Sequence, residues 1–277
     1  MNTILTTITP CWGRQSILVR WLKCLECARH PGVSHLVMFV GEPVPAGIQE
    51  RYKSDPHFRF VSFPDDTPGF LSIGHYHNWA AKEAGTEWIM KLDVDALPHD
   101  FYFTALVPLL FRAAPRDWFN GGMFYLTPGR TSCLFQMRSS VSLEFYSAIL
   151  DDLQNSTEIP HIPAASNFIC RRQDYLDLGG CDPRFRGYGW EDYQQLYMLE
   201  RHRLGKCPFD RNISLRNITQ RCRDELSRRK AGELWKCSRW LCLLHHWHSK
   251  LHSGDYRSNV HLENNRRVLF DYCREHD

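Results

Sequence analysis

Short apolar runs alternate with segments of helical periodicity through the first hundred residues. Three runs rich in β-branched and aromatic residues predict strands, at 4–8, 35–40 and 58–63. Three intervening segments predict helices, at 17–28, 48–53 and 74–84. Such alternation is typical of a parallel sheet covered by helices. We therefore predict an α/β fold with a mixed, mainly parallel central sheet flanked by helices.

The pattern becomes mixed beyond Pro98. We predict further helices at 101–111, 141–151 and 193–201, and further strands at 122–126 and 132–137. Neither an internal repeat nor a low-complexity linker divides the chain, so we predict a single domain over residues 1–277. The loop after the first strand lacks the Gly-x-Gly-x-x-Gly fingerprint, which argues against a Rossmann dinucleotide site.

A fourth apolar run, 88–92, leads directly into two carboxylates, Asp93 and Asp95. Positions i and i+2 of a strand face the same side, and two anions placed together repel unless a cation lies between them. Mg²⁺ and Mn²⁺ favour such oxygen ligands and commonly bridge a protein to substrate phosphates. Acidic pairs are also common on solvated turns, but ligands of open α/β sheets bind at the carboxyl ends of strands. We interpret the pair as a cation site.

A second acidic pair, Glu191 and Asp192, follows the glycine-aromatic loop 187–190. Carboxylates at the start of a helix have an ordinary role as caps. Capping does not account for the neighbouring aromatic residues Tyr188 and Trp190. Their rings offer a flat apolar surface on which a sugar ring can stack. The loop is therefore a candidate sugar-binding and catalytic site.

Histidines cluster near the end of the chain, at positions 245, 246, 248 and 252. Neutral imidazole is a common ligand of divalent ions, and His245 and His248 are close enough in sequence to meet one metal. A different class of function is a zinc-binding interaction module built from Cys237, Cys242, His245 and His248, although this spacing is not that of a usual zinc finger.

The composition argues against nucleic-acid-binding, disulfide-rich and membrane-spanning proteins. With 277 residues, 43% of them hydrophobic, the chain can build a full core. A net charge of +3 is too small to imply nucleic acid, and eleven scattered cysteines favour reduced thiols. We find neither a run of about 20 apolar residues nor a signal peptide, so we expect a cytoplasmic protein.

Basic residues are concentrated in 201–240, which has twelve Lys or Arg against four Asp or Glu. This segment is either a solvated helix or a face that attracts phosphates or an anionic surface. Because Trp235 and Trp240 lie beside these basic residues, we also consider peripheral membrane contact through 216–240, at the inner face of the cell membrane.

Together these features resemble a metal-dependent glycosyltransferase of the GT-A fold. The order and spacing are similar to those of inverting β1,4-galactosyltransferases and of bacterial chondroitin-polymerase-like enzymes of glycosyltransferase family 2. The resemblance rests on these residues: Pro10, Arg14, Asn78, the run Asp93 to Pro98, the loop Phe185 to Asp192, and the late His-His-Trp-His.

For the donor, the resemblance implies that Pro10, Arg14 and Asn78 bind a uridine diphosphate sugar. Asp93 would reach the ribose or a metal-bound water, and Asp95 would bind Mn²⁺, or Mg²⁺, directly. His248, supported by His245, would complete the metal shell. Residues of about 1–100 would form the nucleotide-sugar half of the domain and about 101–277 the acceptor half.

For the acceptor, the resemblance implies that Asp192 is the general base and Glu191 an acceptor-binding carboxylate, with Tyr188 and Trp190 as the stacking surface. The expected reaction is an inverting transfer of Gal or GalNAc to a hydroxyl of a glycan, free or lipid-linked, in bacterial surface polysaccharide synthesis. A retaining enzyme similar to polypeptide GalNAc-transferases is the alternative. The loop reads Gly-Tyr-Gly-Trp-Glu-Asp rather than the family's Gly-Trp-Gly-Gly-Glu-Asp, so the acceptor pocket must differ.

Overall fold

The computed structural model describes residues 3–64, 73–137, 140–154, 167–187, 189–209, 215–246 and 259–276. The strands within these ranges are β1 (Leu5–Cys11), β2 (Val33–Val40), β3 (Phe58–Phe63), β4 (Trp88–Lys91), β5 (Ala96–Leu97), β6 (Trp118–Asn120), β7 (Gly122–Tyr125), β8 (Phe168–Arg171) and β9 (Cys242–His245).

The helices begin and end as follows: α1 (Gln15–Cys27), α2 (Ala46–Tyr52), α3 (Ile73–Glu83), α4 (Tyr102–Arg112), α5 (Pro128–Met137), α6 (Leu143–Gln154), α7 (Arg172–Asp177), α8 (Glu191–Leu204), α9 (Leu215–Arg221), α10 (Arg229–Cys237) and α11 (Asn259–Glu275). A π-helical segment, Cys222–Arg228, joins α9 to α10. Among the described residues, no helix is long and apolar enough to cross a membrane.

The central sheet has six strands in the order β3-β2-β1-β4-β8-β6. The first four are parallel, whereas β8 runs antiparallel to both β4 and β6. A smaller sheet has the order β5-β9-β7. The predicted fold class, a mixed and mainly parallel sheet flanked by helices, is confirmed.

Apolar side chains cover both faces of the central sheet. Along β2, Val37 and Phe39 join one hydrophobic cluster, whereas Leu36 and Met38 join the other. The first cluster takes in α1 and α4, and the second takes in α3 and α8. Because strands buried on both faces lack polar alternation, they appear in sequence as continuous apolar runs.

The strand predicted at 132–137 is wrong, because those residues lie in α5. The Thr127 hydroxyl accepts a hydrogen bond from the backbone N–H of Arg130 at 3.2 Å, which caps the start of this helix. Pro128 occupies the first helical position, where its fixed φ fits and its missing N–H is not needed. The Thr-Pro signal therefore outweighs the apolar run Cys133 to Phe135.

The two aspartates also lie in a different local structure from that predicted. Strand β4 ends at Lys91, and Asp93 and Asp95 occupy the turn between β4 and β5. The i, i+2 argument for a strand therefore does not apply to this pair. Their position at the carboxyl end of β4 is nevertheless the one predicted.

Candidate active site

Four hydrogen bonds fix the turn that carries Asp93 and Asp95. The Thr9 hydroxyl of β1 donates to the carbonyl of Leu92 at 2.6 Å, and the indole N–H of Trp21 on α1 donates to the carbonyl of Ala96 at 3.0 Å. The Asp93 carbonyl accepts from the N–H of Ala96 at 2.9 Å, and the Asp95 carbonyl accepts from the N–H of residue 246 at 2.8 Å. Strand β1, helix α1 and the end of β9 thus hold the turn rigidly.

The Asp95 carboxylate lies between a guanidinium and an imidazole. Its Oδ2 atom is 3.8 Å from Arg14 Nη2 and 3.7 Å from His245 Nε2. The ring of Tyr125, an exposed residue at the end of β7, lies against His245 with a centroid distance of 4.3 Å. The carboxylate and imidazole can hold a divalent cation, and the guanidinium can contact an anion bound beside it.

Asp95 and His245 suit a metal ion that takes some of its ligands from the protein and the others from the substrate. In the part of the chain that the structure describes, no three His, Cys, Asp or Glu side chains are grouped closely enough to hold a metal by themselves. Asp95 and His245 would supply one oxygen and one nitrogen ligand. Mg²⁺ and similar ions take few protein ligands and complete their shell with water and phosphate oxygens. The pair therefore fits a phosphate-bridging Mn²⁺ or Mg²⁺, and His248 lies outside the described residues.

The zinc-binding interaction module finds no support in the described residues. Cys237 is exposed at the end of α10, whereas Cys242 is buried in β9. Burial raises the pKa of the Cys242 thiol, which opposes the thiolate that zinc requires.

A third acidic side chain, Glu42, lies near the carboxyl ends of β1 and β2. Burial, followed by the charge of Glu42, raises the pKa of the Cys11 thiol to about 12, and the N–H and charge of Arg14 act in the opposite direction. Glu42, Cys11 and Arg14 are therefore neighbours, next to Pro10 in β1. Sequence analysis predicted Pro10 and Arg14 but missed Glu42, whose only signal was its place directly after an apolar strand.

Asn78 on α3 has a structural role in this fold. Its amide oxygen accepts from the Tyr175 hydroxyl and from the N–H of Cys181, both at 2.8 Å, and its nitrogen donates to the Cys181 carbonyl at 2.8 Å. Gly180 has a positive φ of 68°, and a side chain there would meet the Asn78 oxygen. Asn78 thus fixes the loop between α7 and the second acidic pair.

The second acidic pair, Glu191 and Asp192, forms the first two residues of helix α8. Trp190, directly before it, adopts the left-handed region with φ of 72°, which is uncommon for a residue with a side chain. Asp192 forms an ion pair with Lys91, the last residue of β4. Burial lowers the pKa of Lys91, but the charges of Asp192, Asp93 and Glu191 outweigh that effect and leave it raised. Lys91 is therefore charged, and it ties the second acidic pair to the strand that carries the first.

Glu191 lies in a different environment from its neighbour. It is buried, and its Oε2 atom has no hydrogen-bond partner among the described residues. Burial and then the charge of Asp192 raise the pKa of Glu191 to about 8, against smaller lowering effects from Lys91 and backbone N–H groups. Burial therefore favours the protonated form of Glu191, which can donate a hydrogen bond as well as accept one.

Helix α11 clamps the glycine-aromatic loop. The Asn265 amide accepts from the N–H of Arg186 at 3.0 Å and donates to the carbonyls of Arg186 at 2.6 Å and Gly189 at 3.0 Å. The Trp190 indole N–H donates to the carbonyl of Leu262 at 2.9 Å. Tyr188 lies outside the described residues.

Comparison with known proteins decides the family. Residues 55–269, most of the chain, match the family model described as Glycosyltransferase like family 2. The chain belongs to this family. The predicted resemblance to glycosyltransferase family 2 is thereby confirmed. No curated protein matches it significantly in sequence.

Several solved structures are similar to this glycosyltransferase at low identity. TarS 1-349 from S. aureus is 13% identical with a TM-score of 0.49, over 71% of this chain and 55% of that one. The mannosyltransferase PcManGT from Pyrobaculum calidifontis, in complex with GDP-Man and Mn²⁺, is 16% identical with a TM-score of 0.45, over 72% and 52%. Glucosyl-3-phosphoglycerate synthase from Mycobacterium tuberculosis is 15% identical with a TM-score of 0.45, over 85% and 78%. The chain spans about half the length of the first two.

Several basic side chains of the segment 201–240 form ion pairs within the protein. Arg221 pairs with Glu225 at 2.6 Å and Arg228 with Asp224 at 3.0 Å. Further along, Arg229 pairs with Glu200 of α8, and Lys230 with Glu233. The pair between Arg229 and Glu200 connects the segment to α8. Peripheral membrane contact through 216–240 stays a prediction.

Proposed function

We propose that this glycosyltransferase is an inverting enzyme that moves a sugar, Gal or GalNAc, from a UDP-sugar to a hydroxyl of a glycan acceptor. One observation carries the proposal: strand β4 connects both acidic centres. The turn after it bears Asp95 beside Arg14 and His245, and its last residue, Lys91, pairs with Asp192. This arrangement supports a donor-binding group and a proton acceptor at the same edge of the sheet.

On the donor side, Arg14 and Asp95 would contact a diphosphate and its cation. Asp95 and His245, with His248, would hold Mn²⁺, and Asp93 would reach the ribose or a metal-bound water. When bound, the ion would offset the negative charge that develops on the β-phosphate. Arg14 contributes a fixed positive charge to the same end, and Glu42, a neighbour of Cys11 and Arg14, would accept a hydrogen bond from the uracil ring.

On the acceptor side, Asp192 takes the proton of the acceptor hydroxyl. The acceptor oxygen forms a bond to C1 of the sugar, the bond from C1 to the phosphate oxygen breaks, and UDP leaves with the electron pair. A positioned base contributes about 10²- to 10⁴-fold to such a step. Protonated Glu191 donates a hydrogen bond to the acceptor, and Trp190 supplies the stacking surface with Tyr188.

The acceptor that we propose is a growing surface polysaccharide of a bacterium, free or lipid-linked. This part rests on the sequence resemblance to chondroitin-polymerase-like enzymes. The charge pattern supports it only in part, because the basic segment is occupied by internal ion pairs.

The test uses water as the acceptor, so that it does not depend on knowing the glycan. Purified protein is given UDP-Gal and UDP-GalNAc with Mn²⁺, and proton NMR follows the released sugar before it mutarotates. The α-linked donor should give the β-anomer first, whereas the α-anomer first would contradict inversion and favour a retaining enzyme.

Asp192→Asn should lower UDP release by about 10²- to 10⁴-fold while leaving UDP binding intact. Asp174→Asn is the matched control, because the Asp174 carboxylate on α7 is as exposed as that of Asp192, at 22%, and pairs with His202 away from the site. If Asp192→Asn were as active as the control variant, Asp192 could not have the role of base.

A further inference from the structure

The two side chains of the Lys91–Asp192 ion pair differ in their exposure to solvent. The Lys91 side chain is 3% exposed, whereas that of Asp192 is 22% exposed. Lysine is rarely buried unless a carboxylate pairs with it. The Lys91 ammonium donates a hydrogen bond to Oδ1 of Asp192. The other oxygen, Oδ2, can then contact a ligand that approaches from solvent.

Other titratable groups lie near the pair, from five parts of the chain. They are His77 on α3, Asp93 after β4, Tyr175 on α7, Cys181 after α7 and Glu191 on α8. Burial, with the charge of Lys91, lowers the pKa of His77 well below its usual value, so its ring is neutral. Burial likewise raises the pKa of the Cys181 thiol, which stays neutral. The positive charge facing these carboxylates therefore comes from Lys91.

We propose that Lys91 is a positioning residue, which anchors Oδ1 of Asp192 and keeps the carboxylate ionised so that Oδ2 accepts the acceptor proton. This inference rests on the proposed function, in which Asp192 is the general base. Lys91 does not touch substrate and acts only through Asp192.

Two arguments support this role. Adjacent carboxyl groups compete for one proton, and a cation beside one of them makes that one the ionised member. Lys91 contacts Asp192 directly, while Glu191 is buried and has an unpartnered oxygen among the described residues.

The second argument is geometric. Lys91 and Asp192 are 101 residues apart in sequence, yet Lys91 is only two residues from Asp93. One rigid strand end therefore sets the position of the base and of the donor-binding turn together. Such placement matters because a misplacement of about 1 Å can cost about 10²-fold in rate.

The test is the pH profile of UDP release from the UDP-sugar that the wild-type protein hydrolyses, with Mn²⁺ and with water as the acceptor. Lys91→Met should move the acid limb of kcat to higher pH by about 1 to 3 units. Lys91→Arg, which keeps the charge, should restore the wild-type acid limb with a lower kcat. Lys230→Met is the matched control, because Lys230 is also a buried lysine, 8% exposed, paired with a glutamate at 2.8 Å.

Two results would overturn the inference: an acid limb of Lys91→Met at the wild-type pH, or an acid limb of Lys91→Arg displaced as far as that of Lys91→Met. If Lys91→Met does not fold, the Lys91→Arg profile decides alone, and a displaced limb still refutes the role of the charge. Failure of the proposed function is a separate result, because the wild-type protein itself would then release no UDP from any donor. UDP binding by calorimetry should be unchanged in Lys91→Met.

Discussion

Replacing Glu191 with glutamine should flatten the dependence of the free energy of unfolding on pH. Burial, and then the charge of Asp192, raise the pKa of Glu191 from an ordinary 4.5 to about 8 in the folded protein. Between these values the unfolded chain releases a proton that the folded protein retains. The folded state then binds more protons, so stability falls as pH rises through this range. The contribution is fully present below about pH 4.5 and is lost above about pH 8.

The size of the effect follows from the two pKa values. They differ by roughly 3.5 units, and each unit corresponds to about 1.4 kcal/mol, so the whole loss is on the order of 5 kcal/mol. Between pH 5 and pH 7 the loss is about 2 to 3 kcal/mol. Glutamine has nearly the same shape and cannot ionise, so this part of the pH dependence should disappear.

The assay is urea unfolding followed by tryptophan fluorescence at pH 5, 6, 7 and 8. Glu50→Gln is the control, because Glu50 is an exposed glutamate that pairs with Lys53 on the surface. We expect the wild-type protein and Glu50→Gln to lose stability in parallel, and Glu191→Gln to lose about 2 to 3 kcal/mol less between pH 5 and pH 7. Equal slopes for the wild-type protein and Glu191→Gln would refute a protonated Glu191.

Three further predictions concern the metal site, the loop clamp and the buried ion pairs. His245→Ala should weaken Mn²⁺ binding in the presence of UDP by about 10-fold or more, measured by EPR titration, and unchanged affinity would exclude His245 as a ligand. Asn265→Ala removes three hydrogen bonds from the glycine-aromatic loop and should cost about 3 kcal/mol in urea unfolding and lower kcat, whereas wild-type values for both would show that the clamp is dispensable. Glu200→Ala leaves Arg203 and Arg229 without their buried partner and should cost about 2 kcal/mol, and a stability within 0.5 kcal/mol (roughly the surface-mutation range) would contradict this.

The first hundred residues of the fold were predictable because most of their strands and helices bury several apolar side chains. The strand at 58–63 has the predicted bounds, and the helices at 17–28 and 74–84 differ by one or two residues at each end. The short strands β6 and β9 were missed because three or four residues give too little pattern. Their pairing depends on distant strands rather than on their own sequence.

Site residues could be predicted from sequence where the residue type itself indicates a role. They could not be predicted where the role depends on a contact with a residue far away in sequence. Asp95, Arg14 and His245 were named from sequence, and the structure brings the last two within 4 Å of the Asp95 carboxylate. Lys91 was not predicted as a site residue, because nothing in the sequence shows that this strand lysine pairs with Asp192 on α8. Asn265 was missed for the same reason, since its three hydrogen bonds reach back 76 to 79 residues.

The most direct test of the central claim is a donor screen with purified protein. A panel of nucleotide sugars is incubated with Mn²⁺ or with a chelator, and release of the nucleoside diphosphate is measured. The account predicts release of UDP from UDP-Gal or UDP-GalNAc that requires Mn²⁺ and is abolished by the chelator. No release from any donor, together with no binding of UDP, would contradict it.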